Sequence, residues 1–133
     1  DVVVTCTPAR APLVGIEDIT PGTFIAAVGA DSPGKQELDA RLTARCTAVA
    51  DVLHQCLHVG ELQHPIRDGL LTEAQVHGEI GQILCGARPG RTTDEDITLY
   101  DSTGTALQDV AVGFAVYQEA LAQQLGVSIQ LGA

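Results

Sequence analysis

Two apolar runs constrain this chain more than anything else in it. Asp1-Val-Val-Val-Thr-Cys-Thr7 and Thr23-Phe-Ile-Ala-Ala-Val28 are short, rich in β-branched or small residues, and show no alternation with polar ones. A strand with one face in water alternates. An unbroken run predicts a strand buried on both faces, as in a parallel sheet covered by helices. The first run stops at Pro8, and the second breaks at Gly29-Ala-Asp-Ser-Pro-Gly34.

The segments between and after them carry the other half of such a fold. A loop with a Pro21-Gly22 turn separates the two runs. Apolar residues at Leu38, Leu42 and Cys46 have helical spacing and predict a helix over 37–46. A strand is expected over 48–53 and a short helix over 55–62, closed by Pro65. Thr72 and Gln75 match a capping box, predicting a helix that buries Val76, Ile80, Ile83 and Leu84 and ends at Gly86. A strand over 97–100 follows. Thr105 and Gln108 repeat the box before a stripe of Leu107, Val110, Ala111, Phe114, Leu121 and Leu125. That last helix, at about twenty residues, spans roughly 30 Å.

Strands alternating with helices predict the α/β class: one parallel sheet, flanking helices and a long C-terminal helix. Ligands of such sheets gather at the carboxyl ends of the strands. Three of those ends carry small or polar residues: Thr5-Cys-Thr-Pro8, 29–34 and Asp101-Ser-Thr-Gly104. Parallel strands open all three on one edge, which is the candidate site.

Composition removes several function classes. Seventeen acidic residues against seven basic ones give a net charge of −10, with no basic stripe for phosphates, so a nucleic-acid partner is not expected. No apolar run approaches the roughly 18 residues of a membrane span, and no signal peptide is visible. Cys6, Cys46, Cys56 and Cys85 are scattered without a C-x-x-C pair and read as thiols of a cytoplasmic protein. The chain starts inside a strand-like run and has no Met, so it reads as a piece of something longer. His54, His58 and Glu61 have the spacing of a zinc triad but no evident fourth ligand, and no metal is expected.

Taken singly, the polar residues of the edge have ordinary explanations. Asp31 between Gly29 and Pro33 suits a turn or a helix cap, and a carboxylate there also suits proton transfer to or from an amine. Lys35 suits a solvated surface. Ser102 and Thr103 suit the start of the last helix, whose dipole also favours an anion or a cofactor oxygen. Thr5 needs no role beyond ending a strand.

Taken together they have a family pattern. The stretch Ala27-Val-Gly-Ala-Asp-Ser-Pro-Gly-Lys-Gln-Glu-Leu38 resembles the central motif of the ornithine cyclodeaminase/μ-crystallin family. Gly60-Glu-Leu-Gln-His-Pro-Ile-Arg-Asp-Gly69 resembles its acidic Gly-Asp-Leu segment. Glu79-Ile-Gly-Gln-Ile-Leu-Cys-Gly86, Gly90-Arg-Thr92 and Asp101-Ser-Thr-Gly-Thr-Ala-Leu-Gln-Asp109 follow in the family's order and spacing. The likeness runs from Asp1 to about Leu125.

The resemblance implies a dimeric, NAD- or NADP-dependent enzyme with a Rossmann-type fold, acting on an amino acid or cyclic imine. Hydride moves between the amine carbon and the nicotinamide, and an aspartate handles proton or water chemistry at the imine. By resemblance Asp31 is that catalytic aspartate. Thr5, Ala27, Val28, Gly29, Ala30, Lys35 and Ser102 match cofactor-binding positions, and Thr103 a position beside the substrate. The 133 residues contain no G-x-G-x-x-G turn for the pyrophosphate. They also lack the residue that selects NAD or NADP and the substrate-binding Arg, Lys and Glu of the family's N-terminal domain.

Residues 1–133 are therefore expected to form the second half of the dinucleotide-binding domain plus a C-terminal helix and tail. Two other readings stand beside this one. One is a truncated, non-catalytic binding or oligomerising module, and the other is a μ-crystallin-like protein that binds cofactor and ligand with little turnover. A homo-oligomer is expected in each case, through the 1–7 edge, the long helix and the tail 127–133.

Overall fold

A computed structural model describes residues 1–129 and makes neighbours of the two apolar runs. They form strands β1 (Val2–Thr5) and β3 (Phe24–Ala27), paired in parallel. Strands β5 (Thr47–Ala50), β6 (Gly78–Glu79) and β7 (Thr98–Asp101) complete a five-stranded sheet in the order β1-β3-β7-β5-β6, with every pairing parallel. The expected α/β architecture is present.

Helices α1 (Ala40–Arg45), α2 (Leu53–Val59) and α3 (Gln63–Arg67) cover one face of the sheet. Leu42, Cys56 and Leu62 from that layer pack with Ile25, Ala27, Ala48, Ala50 and Leu99 of the strands in one apolar cluster. Helix α4 (Ile80–Leu84) borders the opposite face, and α5 (Ala106–Ala122) closes the described chain.

Several local expectations are revised. The loop after β1 contains a further strand, β2 (Arg10–Val14), which pairs in parallel with β4 (Gln36–Leu38) in a small second sheet. Pro8 and Pro12 hide β2 in the sequence, because proline suggests a loop yet is tolerated on an edge strand. The helix expected over 37–46 starts only at Ala40, capped by the Asp39 carboxylate on the Arg41 amide at 2.7 Å. Pro65 lies inside α3 rather than ending a helix. It sits in the first turn, where a missing N–H costs nothing. Thr72 and Gln75 do pair, with Gln75 Oε1 accepting from the Thr72 amide and hydroxyl, but they open only a 3-10 turn, Glu73–Gln75. The helix expected after it is broken by β6 and survives as α4, with Leu84 exposed and Gly86 at φ 77° behind it.

The largest revision concerns cover. β1 is not buried on both faces: Val2 and Val4 are 70% and 64% exposed, while Thr5 is buried. No residue of α5 is buried either, so its apolar stripe lies open. β1 is also an outer strand of the sheet. Of the tail expected to make contacts, 130–133 lie outside the described residues.

Candidate functional site

Register sets out the candidate edge. Thr5 pairs with Ala27, Ala27 with Asp101, Asp101 with Ala50 and Ala50 with Glu79, so the last residues of five strands lie in one row. The ladder runs on past the strands: the Val28 amide donates to the Thr5 carbonyl and the Ser102 amide to the Ala27 carbonyl, both at 2.9 Å. The three loops that the sequence singles out are therefore side by side.

Along this edge the named residues differ in reach. Asp31 and Val28 are exposed, Lys35 and Thr103 partly so, while Thr5, Ala27, Gly29, Ala30 and Ser102 are buried. Lys35 Nζ donates to Asp31 Oδ1 at 2.6 Å and to the Gly29 carbonyl at 3.3 Å, and Ser32 Oγ donates to the same carboxylate at 3.1 Å. The Lys35 hydrogen bond, seconded by Ser32, holds the Asp31 carboxyl below the usual aspartate range. Asp31 is thus ionised at neutral pH, the form that accepts a proton or faces a cation.

Behind the edge lies a set of buried carboxylates to which the sequence alone assigns no role. Glu37 accepts from the amides of Thr7 at 2.6 Å and Gly29 at 2.9 Å. Glu61 accepts from those of Glu37 at 2.6 Å and Leu38 at 3.2 Å. Asp101 accepts from those of Glu61 at 3.1 Å and Leu62 at 3.0 Å. Asp51 holds the last loop, taking the Gly104 amide at 2.8 Å, Thr103 Oγ1 at 3.2 Å and Ser102 Oγ at 3.4 Å. Burial pushes the carboxyls of Glu61 and Asp101 up to about 7, against the opposing pull of those amides. Glu61 is spent in this way, and His54 and His58 stack ring on ring at 4.7 Å.

The loop carrying Asp31 is held from below by α3. Gln63 Oε1 accepts from the Gly34 amide at 2.9 Å, and His64 Nε2 lies 2.6 Å from the Lys35 carbonyl. That contact makes Nε2 the protonated nitrogen, which leaves Nδ1 buried with no partner among the described residues. Thr5 Oγ1 is buried and unpartnered in the same way. Such an orphan hydroxyl at a strand's carboxyl end suits a polar ligand atom, and fits a nicotinamide cofactor at this edge.

A separate hollow of about 500 Å³ lies across the open face of the sheet, lined by Phe24, Val49, Ile80, Ile83 and Tyr100 among others. It contains none of the edge residues; its walls are mostly apolar, and its His77 and Arg91 side chains are already engaged with the Pro89 and Asp96 carbonyls. The loops, not the hollow, are the candidate site.

A profile of the ornithine cyclodeaminase/mu-crystallin family matches residues 1–124. The chain belongs to that family. It is 45% identical over 130 residues to an alanine dehydrogenase of Archaeoglobus fulgidus, covering 98% of this chain and 40% of the relative. A solved archaeal alanine dehydrogenase dimer with bound NAD superposes with a TM-score of 0.91 at 45% identity, over 99% of this chain and 41% of that one. The Δ1-pyrroline-2-carboxylate reductase of Thermococcus litoralis, solved with NADH and L-proline, gives 0.90 at 29% identity, over 96% and 40%. This family member thus spans about 40% of the length of the relatives it matches. No helix among the described residues is long and apolar enough to cross a membrane.

Proposed function

We propose that the chain is the C-terminal portion of an NAD- or NADP-dependent enzyme that acts on an amino acid or a cyclic imine. The observation that carries this reading is the edge row Thr5, Ala27 and Asp101, with Asp31 and Ser102 in the loops just beyond it, in a chain of this family. Relatives named for alanine and for pyrroline-2-carboxylate, solved with NAD or NADH, support it.

A nicotinamide dinucleotide, when bound, supplies or takes up the hydride at the amine carbon. The residues of this chain do the rest at one edge. Thr5 Oγ1 offers an unpartnered hydroxyl to the cofactor, and Val28 lies outward beside it. Asp31, held ionised by Lys35, accepts a proton from the amine or from water, or stabilises the positive charge of an iminium. Thr103, oriented by Asp51, lies on the substrate side. The loops bind and orient, and the carboxylate moves the proton.

The test is Asp31→Asn in the full-length protein. Turnover is expected to fall about 10²- to 10⁴-fold, the usual weight of a positioned acid–base group, with NADH affinity little changed. Undiminished turnover would remove Asp31 from the mechanism. A homo-oligomer and a cytoplasmic setting belong to the same proposal. The outer position of β1 and the open apolar surface of α5 support the first, as does the dimer of the archaeal alanine dehydrogenase.

A further inference from the structure

Glu37 is fully buried, and no Lys or Arg pairs with it among the described residues. Its two oxygens are divided between two loops. Oε1 takes the amide of Thr7, two residues beyond β1, and Oε2 takes that of Gly29, two residues beyond β3. A carboxylate without a cation is costly to bury, and here backbone dipoles alone compensate it. One side chain thereby fixes the separation of the two loops that flank the proposed nicotinamide position.

Two further observations give this clasp a direction. A Cβ at Gly29 would collide with the Glu37 carboxyl group and with the Thr7 nitrogen. The glycine is therefore needed for the clasp itself, whatever a ligand requires. Glu37 is also held in series: Glu61 grips its amide, and Asp101, a member of the edge row, grips the amide of Glu61. The chain of carboxylates starts at the end of β7 and finishes at the loop that carries the unpartnered Thr5 hydroxyl.

We propose that Glu37 is a positioning residue for the cofactor, setting the spacing of the Thr5–Thr7 and Val28–Ala30 loops through the amides of Thr7 and Gly29. This rests on the reading that those loops hold a nicotinamide dinucleotide. Glu37 touches no reacting atom in this role. It acts through the two loops, so its loss is felt first in cofactor affinity and not in the chemical step.

The experiment is Glu37→Gln in the full-length protein, with NADH affinity, KM for the nicotinamide and kcat measured alongside the thermal midpoint. Gln keeps the shape but presents an NH2 group to one of the two amides. NADH affinity is expected to weaken at least about tenfold, with KM rising in parallel and kcat at saturating cofactor falling less than about threefold. Glu37→Asp keeps the carboxyl group yet is too short to span both amides, and should lie between wild type and Gln. It also carries the test if the Gln variant does not fold. A lower thermal midpoint with unchanged NADH affinity would overturn the proposal, leaving Glu37 a brace of the fold alone. A loss confined to kcat would overturn it too. Wild-type protein that binds neither NADH nor NADPH would sink the cofactor reading itself, an outcome visible before any variant is compared.

Discussion

The two faces of the five-stranded sheet are made by the same strands and have opposite surroundings. On one, Ile25 and Leu99 are 0% and 1% exposed beneath α1, α2 and α3. On the other, Val2 and Val4 stand 70% and 64% exposed, and Phe24 is 37% exposed beside the apolar hollow. The residue types are alike on both. What differs is whether anything lies over them, so stability resides on one face and unmet apolar surface on the other.

The strongest way to break this comparison is a matched pair of truncations. Leu99→Ala removes a side chain from the covered face and should cost about 2–5 kcal/mol of unfolding free energy. Phe24→Ala, on the open face, removes a larger group yet should cost less than Leu99→Ala, because 37% of it is already in water. Urea titration of both variants checks this. Equal losses would mean that the open face is covered in solution.

A second test asks how the covered face tolerates its buried acids. Glu61 and Asp101 have carboxyls raised to about 7, above their unfolded values of 4.5 and 3.8. Between those limits the folded state keeps protons that the unfolded state has released, so stability falls as pH rises. The contribution is complete below about pH 4, is largely lost by about pH 7, and is on the order of several kcal/mol in all. Denaturation midpoints at pH 5 and pH 7.5 should show the decline. Asp101→Asn, which cannot ionise, should flatten it. A wild-type midpoint that rises across this window would contradict the burial argument.

The same contrast explains what was legible in the sequence. The runs at 1–7 and 23–28 announced parallel strands, though not the open face of the first, and alternation with helices gave the α/β order. The loops at Thr5, Gly29 and Ser102 could be assigned to one edge because parallel strands point the same way. Cover could not be read, because an apolar run states what a strand can bury and not what is present to bury it. The carboxylate chain was hidden for another reason. Glu37, Glu61, Asp51 and Asp101 have backbone amides as partners, and an amide is offered by every residue but proline. Spacing therefore carries no trace of the pairings, some of them 40 residues apart. Gly29 and Gly60 were the nearest thing to a signal. A side chain at Gly60 would sit 2.6 Å from an Asp101 oxygen, so each glycine marks a carboxylate packed against the backbone.

The smallest expected effect tests the open surface from its far end. Phe114 lies mid-way along α5 at 62% exposed, and no residue of that helix is buried. Phe114→Ser should change the unfolding free energy of the isolated 133-residue chain by no more than about 0.5 kcal/mol, as for other surface sites. Yet seventeen residues of uncovered helix are only marginally stable in water. If the open face and α5 are covered in a homo-oligomer, helix content should drop as the chain is diluted through its dissociation range, and Phe114→Ser should move that range to higher concentration. Light scattering and circular dichroism over the same dilution series read both quantities. A monodisperse monomer that keeps its helix at every concentration would leave the two faces as unequal as they stand, with α5 stable for reasons that burial does not supply.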